Sequence, residues 1–394
     1  MLSELSKKLQ PSPTLAITAK AKQMKKEGMD IIGFGAGEPD FDTPDFIKKA
    51  AIEALNSGDT KYTPVTGTME LKKAIIDKFR TENRLSYSAD QIMVNCGAKH
   101  TLFNIIMCTV QAGDEVIIPS PYWVSYTEMV HAAGAKPVIA DCMSTGALKL
   151  TPEILENCIT PDTKLLILNS PSNPAGALYS KEELENIAGI ISGTEINIIS
   201  DEIYEHLIYD TEFNSIAQVS AETKEKTIIV NGVSKAYSMT GWRIGYAAGN
   251  SEIISACAKL QSHSTSNPTS FAQAGAIAAL SSPASPAERG KMVEEFRKRR
   301  DFIYKELSSI PRITVNKPEG AFYIFPYIGE YFSNDIDSSF SFAEKILEKK
   351  LVALVPGEGF GAPGYIRLSY ASSIEELSKG LARIKEYLEE IRPF

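Results

Sequence analysis

The segment Ser-Lys-Ala-Tyr-Ser-Met-Thr-Gly-Trp-Arg-Ile-Gly-Tyr, from Ser234 to Tyr246, sets Lys235 just after an apolar run and Arg243 eight residues further on. An aldehyde cofactor needs an amine on which to form a Schiff base, and one with a phosphate tail also needs hydroxyls and a fixed cation. Ser234, Lys235 and Arg243 offer all three. A lysine on a strand-to-helix turn is otherwise an ordinary solvated side chain, so the assignment depends on what else could surround the same ligand.

Several other segments could do so. Asp201 follows the apolar run Ile-Asn-Ile-Ile-Ser. A carboxylate at the carboxyl end of a strand can keep a pyridine nitrogen protonated, although the same residue could equally cap a helix. Tyr204, one helical turn later, could point its hydroxyl at the same ligand. Gly97-Ala98-Lys99 stands between a strand and a helix, where free backbone N–H groups and the helix dipole favour an anion. Trp123 lies in the proline-fixed loop Pro119-Ser-Pro-Tyr-Trp-Val-Ser-Tyr126, a flat apolar plate suited to stacking on an aromatic ring or to the core. Asn173 belongs to the turn-forming loop Asn169-Ser-Pro-Ser-Asn-Pro-Ala-Gly176. Gly37 and Tyr62 fall in two further turn-rich segments, Ala36–Pro44 and Lys61–Gly67. Arg367, in the alternating Tyr-Ile-Arg-Leu-Ser, carries the planar fork that matches a carboxylate with two parallel hydrogen bonds.

The elements that must position these residues follow an α/β pattern. Short apolar runs predict strands over 91–95, 115–119, 164–169, 196–200, 227–231 and 244–248, separated by helical patterns such as Leu102, Ile105, Ile106 and Val110. Such strands suit a sheet covered on both faces, whose ligands gather at the strands' carboxyl ends. After the Ser-Ser-Pro-Ala-Ser-Pro stretch at 281–286 the character changes: a charged helix over 291–307, strands over 313–315, 320–325 and 365–369, and a helix over 339–350 predict a smaller α+β domain. The expected division is an N-terminal arm and first part of the small domain at 1–46, a large ligand-binding domain at 47–286, and a C-terminal small domain at 287–394. No internal repeat is visible.

Composition narrows the function classes. A chain of 394 residues with 43% hydrophobic content can bury a deep cleft. Its net charge of −8 disfavours nucleic acid as partner. The five cysteines make no CxxC pair and the four histidines no metal-ligand spacing, so reduced thiols and no metal are expected. No signal-like core or run of about 20 apolar residues stands out, which leaves no membrane association and a cytoplasmic location as the expectation.

Together these motifs, in this order over residues from about 30 to 370, resemble the class I/II aminotransferases, pyridoxal-phosphate (PLP) enzymes of fold type I, and within them the bacterial and archaeal subgroup that includes thermophilic aspartate aminotransferases. The resemblance implies a mostly parallel central sheet plus a smaller α+β domain, pyridoxal 5′-phosphate as cofactor, and Lys235 as both its anchor and the proton carrier of a ping-pong transamination. It implies that Asp201 meets the pyridine nitrogen, and Tyr204 and Asn173 the phenolic oxygen. Gly97, Ala98, Lys99, Ser234 and Arg243 would gather around the cofactor, with Trp123 stacked on its ring. Gly37, Trp123 and Asn173 would also border the substrate. Arg367 would hold the α-carboxylate and Lys99 a distal carboxylate. Tyr62 would reach the phosphate of a neighbouring subunit, which implies a homodimer with shared active sites. Amino acids and 2-oxo acids are then the substrates, with L-aspartate and 2-oxoglutarate first. Aromatic, alanine, kynurenine or prephenate transamination, or a PLP-dependent carbon–sulfur lyase, remain alternatives that share nearly every motif. Gln10, where some prephenate-active relatives carry a basic residue before Pro-Ser, lowers the prephenate reading. A regulatory protein built on the same domain is disfavoured by the acidic charge and by the short stretch of about 30 residues before the Gly-Glu-Pro-Asp loop.

Overall fold

The computed structural model describes residues 13–391. Seven strands form the central sheet: β1 (Ile92–Asn95), β2 (Glu115–Pro119), β3 (Lys136–Ala140), β4 (Thr163–Asn169), β5 (Asn197–Asp201), β6 (Thr227–Gly232) and β7 (Gly245–Ala248). Their order is β1-β7-β6-β5-β4-β2-β3, and every pairing is parallel except the two made by β7. The expected strands therefore form, with ends shifted by a residue or so. β3 was not anticipated, because Pro137 argues against a strand; as the outermost strand it can lack that N–H without loss.

Alternation along the strands fills two cores at once. Met93 of β1 and Val116 and Ile118 of β2 face a cluster with the helix Ala98–Thr109, whereas Ile92 and Val94 join Phe79 and Tyr246 on the opposite face, and Ile117, Leu166 and Ile198 join a further cluster there. Burial on both faces is why these strands read as continuous apolar runs rather than as alternating ones. Topology then decides where chemistry can occur. Six strands point their carboxyl ends to one edge, and the antiparallel β7 begins there. Arg243, just before β7, is thereby delivered to the edge where Asp201 and Gly232 end their strands.

The C-terminal region makes smaller sheets. Val355–Pro356, Ile366–Ser369 and Tyr323–Ile324 pair antiparallel, and Ile32–Gly33 pairs parallel with Val352–Ala353. One apolar cluster joins Ile17, Ile31, Ile32 and Phe34 to Phe296, Phe342, Leu381 and Tyr387, so the N-terminal segment packs with residues from the far end of the chain. The expected strand over 313–315 reduces to a single bridge between Thr314 and Tyr327, and that over 320–325 to two residues. The charged helix begins at Ser285 rather than at residue 291, with Pro286 in its first turn, where a missing N–H costs nothing. The Ser/Pro-rich stretch is thus a brief break between two helices. Among the described residues no helix is long and apolar enough to cross a membrane.

Candidate active site

A cavity of about 600 Å³ opens at the edge where β1, β2, β4, β5 and β6 end. That is the size of a small-molecule site, roughly 300–1,000 Å³. Gly37, Ala98, Lys99, Trp123, Asn173, Asp201, Tyr204, Ser234, Lys235, Arg243 and Arg367 all border it. Gly97 sits just behind its wall, and Tyr62 lies outside it, 93% exposed.

Lys235 stands on the turn that follows Gly232, the last residue of β6, and its side chain reaches across to donate to the carbonyl of Gly37. Burial lowers its ammonium to about 8, partly opposed by the carboxylate of Glu38 and reinforced by the Arg367 and Arg243 charges. A lysine that gives up its proton near neutral pH is a competent nucleophile and base.

Asp201 ends β5 and is 4% exposed. Burial raises its carboxyl to about 6, against the opposing pull of the Tyr126 hydroxyl, which donates to Oδ2 at 2.7 Å, of the Ile203 N–H, and of the Lys235 charge. The residues after Asp201 form a non-helical turn rather than a helix, so Asp201 is not a helix cap. That turn still brings Tyr204 to the cavity, its hydroxyl 2.9 Å from that of Tyr323.

Asn173 is aimed by its own loop: its N–H donates to Asn169 Oδ1 at 2.8 Å, while Asn169 Nδ2 donates to the carbonyl of Asp201 at 3.0 Å. Asn173 Oδ1 in turn accepts from Arg367 Nη1 at 2.8 Å. Arg367 Nη2 donates to the carbonyl of Gly35 at 3.1 Å, and the guanidinium lies 4.4 Å from the Tyr323 ring centroid and 5.2 Å from that of Phe360. Its Nε is buried without a partner. Among the described residues no carboxylate neutralises this arginine, and burial lowers its pKa.

Opposite, Lys99 Nζ lies 4.7 Å over the Trp123 ring, its pKa lowered by burial and by the charge of Arg243. Trp123 is itself held edge-on against Tyr126 at 5.4 Å. Arg243 adopts a left-handed backbone conformation, φ 57°, unusual outside glycine. Its Nη1 donates to the carbonyl of Thr240 at 2.9 Å and its Nη2 to that of Cys96 at 3.4 Å, which lays it against the Gly97 turn. Gly97 has φ 87°, and a Cβ there would run into the Arg243 guanidinium, so only glycine fits.

The cavity thus carries an excess of cations, Lys22, Lys25, Lys99, Lys235, Arg243 and Arg367 against Glu38 and Asp201, in a chain of net charge −8. Sequence reasoning passed over Tyr126, Tyr323, Glu38 and Thr240, which donates to Glu38 Oε2 at 2.7 Å. Tyr126 and Glu38 lay within segments singled out for Trp123 and Gly37, and their proximity was the available signal. Elsewhere, Glu82, Glu205 and His206 group their ligand atoms within 4.8 Å of one another as a metal site would, but Lys78 and Arg289 already pair with them.

Residues 29–384 match the profile of the family "Aminotransferase class I and II". The chain belongs to the class I and II aminotransferases. Relatives agree with that membership along nearly the whole length. The aspartate aminotransferase of Bacillus sp. (strain YM-2) is 50% identical over 390 residues, 98% of this chain and 99% of that protein. The "Probable aspartate/prephenate aminotransferase" of Aquifex aeolicus is 50% identical over 384 residues, 97% of each. Among solved structures, the aspartate aminotransferase of Thermus thermophilus with maleate superimposes with a TM-score of 0.94 at 42% identity, covering 98% of this chain and 99% of that one. The chain is therefore an aminotransferase of α/β architecture, an enzyme whose substrates are amino and oxo acids.

Proposed function

We propose that this aminotransferase uses PLP to move the amino group of L-aspartate to 2-oxoglutarate, giving oxaloacetate and L-glutamate by a ping-pong mechanism. The observation that carries the reading is the pair of carboxylate-seeking cations at the cavity: Arg367, buried with its Nε unpartnered, and Lys99, held over Trp123 with no carboxylate partner among the described residues. With Lys235 and Arg243 assigned to the cofactor, the buried Arg367 and the exposed Lys99 are left for substrate, which suits an amino acid with two carboxylates better than one with a single carboxylate.

The residues present also fit PLP. A buried carboxylate, a lysine of lowered pKa, an indole plate and a glycine turn backed by an arginine border one cavity. Lys235 would hold the cofactor covalently, Asp201 its ring nitrogen, Tyr204 and Asn173 its phenolic oxygen, and Gly97, Ala98, Ser234 and Arg243 its phosphate, with Trp123 against the ring. When bound, PLP supplies an electron sink that acidifies the α-C–H bond of the amino acid.

The remaining work belongs to the chain. Arg367 fixes the α-carboxylate and so orients the α-carbon, and Lys99 selects the second carboxylate. Lys235 Nζ accepts a proton and returns it, for which a pKa of about 8 is well placed. Asp201, ionised above about 6, would hold a protonated ring nitrogen as its counter-ion, and Tyr126 holds Asp201 in place. Gly37 lends backbone to the substrate side of the cavity.

The proposal includes a cytoplasmic homodimer with shared active sites. Tyr62 does not border its own cavity and is exposed, as are Met69 and Ile52, close to it in sequence, as surfaces meeting a second copy would be. It includes the division at 1–46, 47–286 and 287–394 as well, supported by the apolar cluster that packs residues between 17 and 34 mainly with residues between 292 and 388, with Ile203, Tyr204, Leu207 and Tyr209 at its border with the large domain. The name of the Aquifex aeolicus relative favours prephenate as a further acceptor; Gln10, which bears on that choice, lies outside the described residues.

The test is Lys235→Ala. The purified variant should lack the absorbance band of lysine-bound PLP and lose at least about 10³-fold in turnover. A variant with wild-type rates would rule the mechanism out.

A further inference from the structure

We infer that Gln261 is a positioning residue that sets the geometry of the anion-binding turn at Gly97–Lys99. The inference rests on the PLP reading, because that turn matters only if it receives a phosphate. The turn has only backbone hydrogen bonds of its own, Gly97 N–H to the Asn95 carbonyl at 2.7 Å among them: Gly97 precedes the helix Ala98–Thr109 and caps it with no side chain, and glycine is the most freely varying residue of the backbone. A helix N-terminus binds an anion well only when its free N–H groups are aimed in advance.

The aim comes from behind. Gln261, near the end of the helix Ser251–Ser262, is fully buried and uses its entire amide. Its Oε1 accepts from Asn95 Nδ2 at 2.7 Å and from Asn104 Nδ2 at 3.1 Å. Its Nε2 donates to the carbonyls of Val94 at 2.9 Å and Val65 at 2.7 Å. Asn95, the last residue of β1, accepts at Oδ1 from Thr101 Oγ1 at 3.0 Å, and the same hydroxyl lies 3.3 Å from the Gly97 carbonyl. The turn is thus pinned on its strand side through Asn95 and on its helix side through Thr101 and Asn104, and Gln261 joins the two.

Its fourth contact reaches elsewhere. Val65 lies on the loop that carries Tyr62, and a second buried glutamine, Gln273, holds the same loop by accepting from the Thr68 N–H at 2.9 Å and donating to Thr63 Oγ1 at 3.0 Å. One side chain therefore ties the phosphate turn of its own cavity to the loop that would serve the neighbouring subunit. A buried amide with both donors and both acceptors engaged is a demanding arrangement, and loss of one member leaves several polar groups unpaired.

The experiment compares the affinity of cofactor-free protein for PLP and for pyridoxal, which keeps the aldehyde and ring but lacks the phosphate. In Gln261→Met, PLP affinity should fall about tenfold more than pyridoxal affinity, as expected when a preorganised anion site is loosened. Thr101→Val, which removes the hydroxyl shared between Asn95 Oδ1 and the Gly97 carbonyl and keeps the shape, should shift the same ratio by about threefold and decides the matter if Gln261→Met does not fold. Equal losses for both ligands would mean a purely structural role and would overturn the inference, as would unchanged PLP affinity. Wild-type protein that holds PLP no tighter than pyridoxal would instead defeat the cofactor reading, and this inference with it.

Discussion

Two clusters of buried charge lie close together in this chain, and they are built on opposite plans. Around Glu205 the network is closed. Lys78 Nζ pairs with Glu205 Oε1 and donates to Asn83 Oδ1 at 2.7 Å, while Asn83 and Asn231 each donate to the carboxylate at 2.8 Å. Beside it Arg289 Nη2 donates to Glu82 at 2.8 Å, and His206 Nε2 meets the other Glu82 oxygen at 2.8 Å. Burial would raise both carboxyls, yet the surrounding cations hold Glu82 and Glu205 below the ordinary range. Around Arg367 the network is open: its neighbours are an amide oxygen, a carbonyl and two rings, and Nε has nothing. The lesson is that burial of charge does not by itself mark a site. A charge whose partners are internal holds the fold together, and a charge whose partners are missing awaits a ligand.

The sharpest way to break this comparison is to remove one charge from each cluster. Glu205→Ala would leave the buried Lys78 with only the Glu82 carboxylate, 4.0 Å away, as counter-charge and should destabilise the protein by about 3 kcal/mol in urea unfolding. Arg367→Met removes a buried charge that has no carboxylate partner, so cofactor-free stability should hold or rise. Its kcat/KM should nonetheless fall by at least about 100-fold, the cost of losing one side of a buried ion pair with substrate. Loss of stability in Arg367→Met matching that in Glu205→Ala would erase the distinction.

A smaller effect comes from Glu202, at the border of the closed cluster. Burial first, and then the charge of Glu205, pushes its carboxyl up to about 8, although the Ser200 and Ser215 hydroxyls both donate to Oε1. Its folded pKa is above its unfolded one, so the folded state binds the extra proton. The stability this contributes is complete below about 4.5 and is lost as pH rises through about 8. Glu202→Gln cannot titrate, so its stability relative to wild type should grow from about pH 5 to about pH 8 and then level off. A difference that is flat over that range would mean Glu202 is ionised throughout.

These contrasts also separate what could be read in the sequence from what could not. The sheet was legible because each strand is an apolar run closed by turn formers, and the site residues were legible because they follow those runs: Asn173 after β4, Asp201 at the end of β5, Lys235 after β6. β3 was hidden by Pro137, whereas the strand expected over 313–315 shrinks to a single pairing at Thr314. Tyr126 and Tyr323 were hidden for a different reason: an aromatic in a short apolar stretch looks like packing, and its hydroxyl's partner lies far along the chain. Tyr323 meets Tyr204 across 119 residues, and Lys78 meets Glu205 across 127. Gln261 is hidden in the same way, its partners lying 157 to 196 residues earlier. Local spacing can show where a strand delivers a side chain; it cannot show which distant groups complete a hydrogen-bond network.

The claim that the open cluster is built for two carboxylates is tested most directly by kcat/KM for L-aspartate and L-alanine, with 2-oxoglutarate as acceptor, in wild type and in Lys99→Gln. The wild type should prefer aspartate, and the variant should lose about tenfold with aspartate, the range of one charge-assisted hydrogen bond, while its value for alanine stays within about twofold. Equal losses for the two amino acids, or a wild type that prefers alanine, would contradict the account.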